Sequence, residues 1–105
     1  MERRIETRTI DTAAAATTTV IQRNACKLFW ISISVETKDT KGSVKIYDGV
    51  DAGGDLKWQS EPAYEEHCPF IPPITCDKGC CIVTDDKIAC FTVAYRSLGW
   101  AAPEG

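Results

Sequence analysis

The apolar residues of this chain recur with the period of a strand. In NACKLFWISISVE, residues 24–36, Phe29, Ile31, Ile33 and Val35 fall on one face of an extended backbone and Cys26, Leu28 and Trp30 on the other. That pattern predicts a strand covered on both sides at its start and on one side further along. SVKIY alternates Val44 and Ile46 against Ser43, Lys45 and Tyr47, as a half-buried strand does. Asp48-Gly49 and Gly53-Gly54 then offer positions that tolerate positive φ. In LKW, Leu56 and Trp58 return to a shared face, which makes residues 44–58 a wide hairpin whose glycines serve a turn.

The next stretch, SEPAYEEHCPFIPPITC, holds four of the five prolines. Proline lacks the N–H that a central strand must donate, so this stretch is expected as an edge strand or an extended crossover. GCCIVTDDKIACFTVAYR reads as two strands, residues 80–84 and 88–96, around an Asp85-Asp86 turn, with Phe91, Val93 and Tyr95 on one face. Nowhere does a spacing of three and four persist over ten residues between helix caps, so no substantial helix is expected. The expected fold is all-β: a single antiparallel β-sandwich or jelly-roll-like domain over residues 20–105. The leading MERRIETRTIDTAAAATTT is apolar only at Ile5, Ile10 and small alanines. It is expected as an extended N-terminal arm, residues 1–19, that gains order from a partner.

Length and charge narrow the functional classes. A chain of 105 residues makes one domain. Its net charge of −3 and pI near 5.1 disfavour a phosphate backbone as ligand, because its basic residues are dispersed and Arg3, Arg4 and Arg8 alternate with Glu2, Glu6 and Asp11. No nucleic-acid partner is expected. No run approaches the ~20 apolar residues of a membrane helix, and the start lacks the apolar middle of a secretory signal, so no membrane partner is expected, and synthesis in the cytoplasm is expected ahead of the alternative, a mature fragment whose signal has been removed.

The residues that bear chemistry are cysteines, one histidine and loop acids. Six cysteines, Cys26, Cys68, Cys76, Cys80, Cys81 and Cys90, are an even set that suits disulfides or buried thiols, with the pairing left open. His67 with Cys68, Cys76, Cys80 and Cys81 offers zinc-ligand types, but the C-x3-C-C spacing lacks paired C-x2-C knuckles, and Cys80 and Cys81 in one strand point to opposite faces. His67 beside Cys68 in an extended segment projects away from it, and no nucleophile motif is present, so no catalytic residue is assigned. Asp48, Asp51 and Asp55 around the glycine turn lack the order of a calcium loop. As a glycosidase dyad the acids would require a sugar cleft, and only Trp58 and Tyr64 offer an aromatic platform. No metal and no cofactor is assigned.

Together, TTTVIQRNACKLFWISIS, GSVKIYDGVDAGGDLKW, FIPPITCDKGCCIV and ACFTVAY resemble a recurrent pattern in small β-sandwich structural proteins of tailed bacteriophages. In that pattern a Thr-rich arm leads to a long strand, a YDG hairpin, a proline-containing crossover and two closing strands. The resemblance spans roughly residues 17–96 and departs from the pattern in its six cysteines. It implies a non-enzymatic virion component: a capsid decoration or cement protein, or a tail or fibre accessory. Implied partners are a major capsid protein or tail components and further copies of the chain, in a particle made in the host cytoplasm that persists outside the cell. Ile5, Ile10, Val20, Pro72, Pro73 and Trp100 are the expected intersubunit contacts. The competing class is a secreted, disulfide-rich binding module of lectin or adhesin type.

Overall fold

A computed structural model describes residues 4–12 and 15–98. Eight strands follow in order: β1 (Glu6–Asp11), β2 (Thr17–Gln22), β3 (Cys26–Val35), β4 (Val44–Asp48), β5 (Asp55–Ser60), β6 (Glu66–Cys76), β7 (Cys80–Thr84) and β8 (Ile88–Ser97). They form two four-stranded antiparallel sheets, ordered β1-β8-β3-β6 and β2-β7-β4-β5. Successive strands change sheet except at the β4–β5 hairpin, which gives the strand order of an eight-stranded jelly roll. Two facing sheets bury one face each, and the core lies between them: Leu28, Ile31 and Ile33 of β3, Val44 and Ile46 of β4, Ile82 of β7, and Ile88, Phe91 and Val93 of β8.

Two one-residue irregularities decide which side chains reach that core. A bulge between Leu28 and Trp30 reverses the phase of β3, because an extra residue moves every later side chain to the other face. Cys26 and Leu28 therefore point inward together with Ile31 and Ile33, not away from them as simple alternation predicts. Phe29 is left outside under the Arg96 guanidinium, 5.4 Å from the ring centre. A second bulge, at Lys57, sets Trp58 opposite Ile46 and Leu56 opposite Tyr47. The face expected to be shared by Leu56 and Trp58 is split: Trp58 packs against the core and Leu56 stays exposed.

The largest correction concerns the expected arm. Its residues 6–11 are an edge strand, paired with β8 over six registered positions, and residues 17–19 open β2, which pairs with β7. The segment is extended and mostly exposed, but it belongs to the sandwich. Backbone pairing holds it where burial does not. Thr12 is the anchor: it is buried, its N–H and hydroxyl both bond to the carbonyl of Ala89, and the hydroxyl also donates to that of Ile88. The register places Glu6 and Arg8 on the inner face, beyond Tyr95 and Val93. Arg8 donates to the carbonyls of Val20 and Ile21 at 3.2 and 3.3 Å, across to the other sheet, and Glu6 accepts from the Tyr95 hydroxyl at 3.4 Å. Inward charges at a sheet edge keep that edge from adding another strand.

Of the expected contact residues, Ile5 is exposed, Ile10 is half-buried against the core, and Val20 is half-buried in β2. Trp100 lies outside the described residues. Pro72 is exposed and Pro73 half-buried, in a stretch of β6 that leaves the ladder: Leu28 pairs with Ile74 and Trp30 with Pro69, so residues 70–73 have no partner on β3. The prolines account for the break, since neither donates an N–H. Within it Phe70 turns inward, edge-on to Trp58 at 5.4 Å, and Ile71 turns out, 89% exposed.

Candidate functional site

The outer face of the β1-β8-β3-β6 sheet carries the densest set of functional side chains. Because Ile31 and Ile33 point inward, Trp30, Ser32 and Ser34 point outward. The registers of three strand pairs align Thr9, Thr92, Ser32 and His67 in one row across all four strands. The row is hydrogen-bonded in pairs, Thr9 Oγ1 to Thr92 Oγ1 at 2.8 Å and Ser32 Oγ to His67 Nδ1 at 2.6 Å. Trp30 tilts against the His67 ring at 5.3 Å. Long-range register creates this row, and nothing in the local sequence around any one of the four announces it.

At the His67 end the face runs into an open groove of about 320 Å³ lined by Ser32, Ile33, Ser34, Glu65, Glu66 and His67. A second groove of about 290 Å³, lined by residues 61–66, adjoins it through Glu65 and Glu66. Its wall is pinned to the 36–43 loop by bonds from Asp39 N to Ala63 O, from Gly42 N to Pro62 O, and from the Tyr64 hydroxyl to the Asp39 carboxylate. The last of these holds the Tyr64 hydroxyl above its ordinary pKa, because a donor to a carboxylate resists giving up its proton.

The acids here have separate duties. Glu66 accepts from Ser60 Oγ at 2.8 Å, tying β5 to β6. Its charge and its hydrogen bond, added to burial as the larger cause, push the Cys68 thiol up to about 11. Since the thiolate is the reactive form, Glu66→Gln is expected to raise the rate at which iodoacetamide labels Cys68 at pH 8 several-fold, read by peptide mass spectrometry. An unchanged rate would mean that burial alone sets the thiol.

Ser32 and His67 form a hydroxyl–imidazole pair, yet among the described residues no carboxylate hydrogen-bonds His67, so the third member that orients a nucleophile–base pair is absent from this arrangement. The face presents hydroxyls, an imidazole, an indole and a rim of acids.

The glycine turn between β4 and β5 contains no convergent acids. Asp51 accepts from Gly53 N at 2.8 Å within its own loop, and Asp55 is exposed. Asp48 is buried and turned inward, where its carboxylate accepts from the backbone of Asp77 at 3.1 Å and Lys78 at 2.8 Å. Residues 48–54 are a turn that also caps the β6–β7 turn. Gly79, φ +144°, completes that junction; a Cβ there would lie 2.8 Å from Gln22 O, so only glycine fits.

The cysteines sort by strand parity. His67 and Cys76 sit near opposite ends of β6, facing Ser32 and Cys26 of β3, six positions or roughly 20 Å apart at ~3.3 Å per residue, so the histidine and the clustered cysteines are not brought together. Cys80 faces the core, Cys81 faces away from it, and Cys90 lies opposite Ser34 on the outer face. The structure joins Cys76 and Cys80 to Cys26 of β3, all three fully buried. All six cysteines are free thiols. No group of three or more His, Cys, Asp or Glu among the described residues is arranged to hold a metal ion. No described helix is long and apolar enough to cross a membrane.

Comparison with protein-family models, with curated proteins and with solved structures finds no match to this chain.

Proposed function

We propose that this chain is a non-enzymatic structural component of a virus particle, a decoration or cement protein of a tailed bacteriophage capsid that binds capsid subunits and copies of itself. The observation that carries the reading is the strand order, β1-β8-β3-β6 facing β2-β7-β4-β5, an architecture that recurs in viral capsid and lectin domains. The step from architecture to class is fold analogy; the surface makes it testable. Strands β5 and β6 form one open side of the sandwich, joined by the Trp58–Phe70 contact. On that side Ile71 stands almost fully in solvent beside Pro72, and Leu56 is 47% exposed. A rigid apolar knob on a strand edge suits a contact made many times over on a repeating scaffold, where weak single contacts add up.

Tryptic peptides of the chain are expected in density-purified particles from its host, at a fixed ratio to the major capsid protein; purified particles without it would end the proposal. Ile71→Asp, a surface change worth no more than about 0.5 kcal/mol in stability, is expected to leave the unfolding midpoint in place and abolish rebinding to particles stripped of the protein. A tail or fibre position is distinguished in the same preparation by separating heads from tails.

The row Thr9-Thr92-Ser32-His67 beside Trp30 favours a second reading, a carbohydrate-binding module of lectin type. Hydroxyl and imidazole groups flanked by an indole match the edges and faces of a sugar ring. Glycan-array binding lost in Trp30→Ala would support it.

A further inference from the structure

Cys26 and Cys76 are direct cross-strand partners in β3 and β6, and both side chains belong to the core. Partners in an antiparallel ladder have Cα atoms about 4.5 or 5.5 Å apart, and both spacings fall inside the disulfide range of about 4.4–6.8 Å. Cys80 joins the same buried cluster from the facing sheet. Three turns close this end of the sandwich: Gly49 N bonds to Gly79 O at 3.0 Å, Asp48 holds the 77–78 backbone, and Leu98 N bonds to Ala25 O at 3.1 Å.

We propose that this cluster is a redox site that closes a Cys26–Cys76 disulfide across β3 and β6, with Cys80 retained as a thiol. Register selects the pair. Cys26 and Cys76 already oppose each other within one sheet, whereas any bond to Cys80 must span the two sheets. The other three cysteines are excluded by place: Cys81 and Cys90 lie off the core face, and Cys68 lies eight positions from Cys76 along β6. The oxidant is a low-molecular-weight disulfide such as oxidised glutathione. The Cys26 thiolate attacks one of its sulfurs, forming a mixed disulfide and releasing one glutathione thiol. The Cys76 thiolate then attacks the Cys26 sulfur and releases the second. The protein loses two hydrogens and the oxidant gains them. Hydrogen bonds from Cys76 and Cys80 lower the Cys26 thiol from its ordinary value and so favour it as the attacking group. Because the three thiols are closed off in the folded chain, the exchange takes place in an oxidising medium while the chain folds or this end of the sandwich opens.

The test refolds the reduced full chain in a mixture of oxidised and reduced glutathione, blocks remaining thiols with iodoacetamide, and digests with trypsin. Cleavage after Arg23, Lys27, Lys57, Lys78 and Lys87 places Cys26, Cys76 and Cys80 in separate peptides, 24–27, 58–78 and 79–87. The expected result is a linked 24–27/58–78 pair, with fragmentation assigning the bond to Cys76 and leaving Cys68 alkylated. The link should persist in Cys80→Ser and vanish in Cys76→Ser, and the oxidised protein should melt several degrees above the reduced one. A refolded wild type with no linked peptide overturns the proposal. So does a dominant link through Cys80 or Cys68.

Discussion

Phe91→Ala is expected to destabilise the fold by about 3–5 kcal/mol, the range for deleting a buried aromatic ring whose cavity its neighbours cannot fill. Against a native stability of about 5–15 kcal/mol for a domain, that is roughly a fifth or more of the total. The size of the effect follows from position. Among the described residues Phe91 is the largest fully buried side chain, 1% exposed, and β8 is an inner strand with β1 on one side and β3 on the other. Its partners are Ile10 and Ile33, so the three form one inward row across three strands, and the ring also bears on the facing sheet through the shared core. Neighbours pinned by backbone ladders on both sides cannot collapse into the hole. Phe91→Leu, which keeps most of the volume, is expected to cost less than about 1.5 kcal/mol. Urea unfolding measures both through the midpoint at constant slope. A loss under about 1 kcal/mol for the alanine variant would show that Phe91 is not packed as described.

The inward set of β8 was legible in the sequence because Phe91, Val93 and Tyr95 alternate without interruption where they face the core. The same holds for Val44 and Ile46, and for the prolines that mark β6 as an edge strand. Other features were hidden for physical reasons. A bulge adds one residue and leaves no compositional mark, so simple alternation sets Cys26 with Leu28, and Leu56 with Trp58, on the wrong relative faces. Strand β1 was hidden because hydropathy registers burial, and β1 is held by ladder bonds and by Thr12, with little apolar area covered. The row of Thr9, Thr92, Ser32 and His67 and the joining of Cys26 to Cys76 are products of topology. The first spans four strands and the second spans fifty positions, 26 to 76. Local reading grouped Cys68, Cys76, Cys80 and Cys81 because they are near in sequence, whereas strand parity and register decide which thiols meet.

Asp48→Ala is expected to cost about 2–4 kcal/mol, and the reason lies in what the carboxylate holds together. A hydrogen bond to a charged acceptor contributes about 1.5–3 kcal/mol, and Asp48 accepts two, one on each oxygen, from Lys78 N and Asp77 N. Removing it strands both donors in a part-buried turn, offset in part by no longer desolvating the charge. Asp48→Asn keeps one accepting oxygen but sets an amide NH2 against the other N–H, so it should fall between wild type and alanine. Both variants within about 0.5 kcal/mol of wild type in urea unfolding would show that the turn does not depend on these bonds. The thiols give the substitution a second, opposite readout. The negative charge of Asp48 raises the thiol pKa of both Cys26 and Cys76, so neutralising it lowers the cost of forming a thiolate there. The Asp48→Asn protein should therefore unfold more easily yet close the Cys26–Cys76 bond faster in glutathione at a given pH. A general loosening that merely exposed all six cysteines would instead accelerate labelling at every one of them.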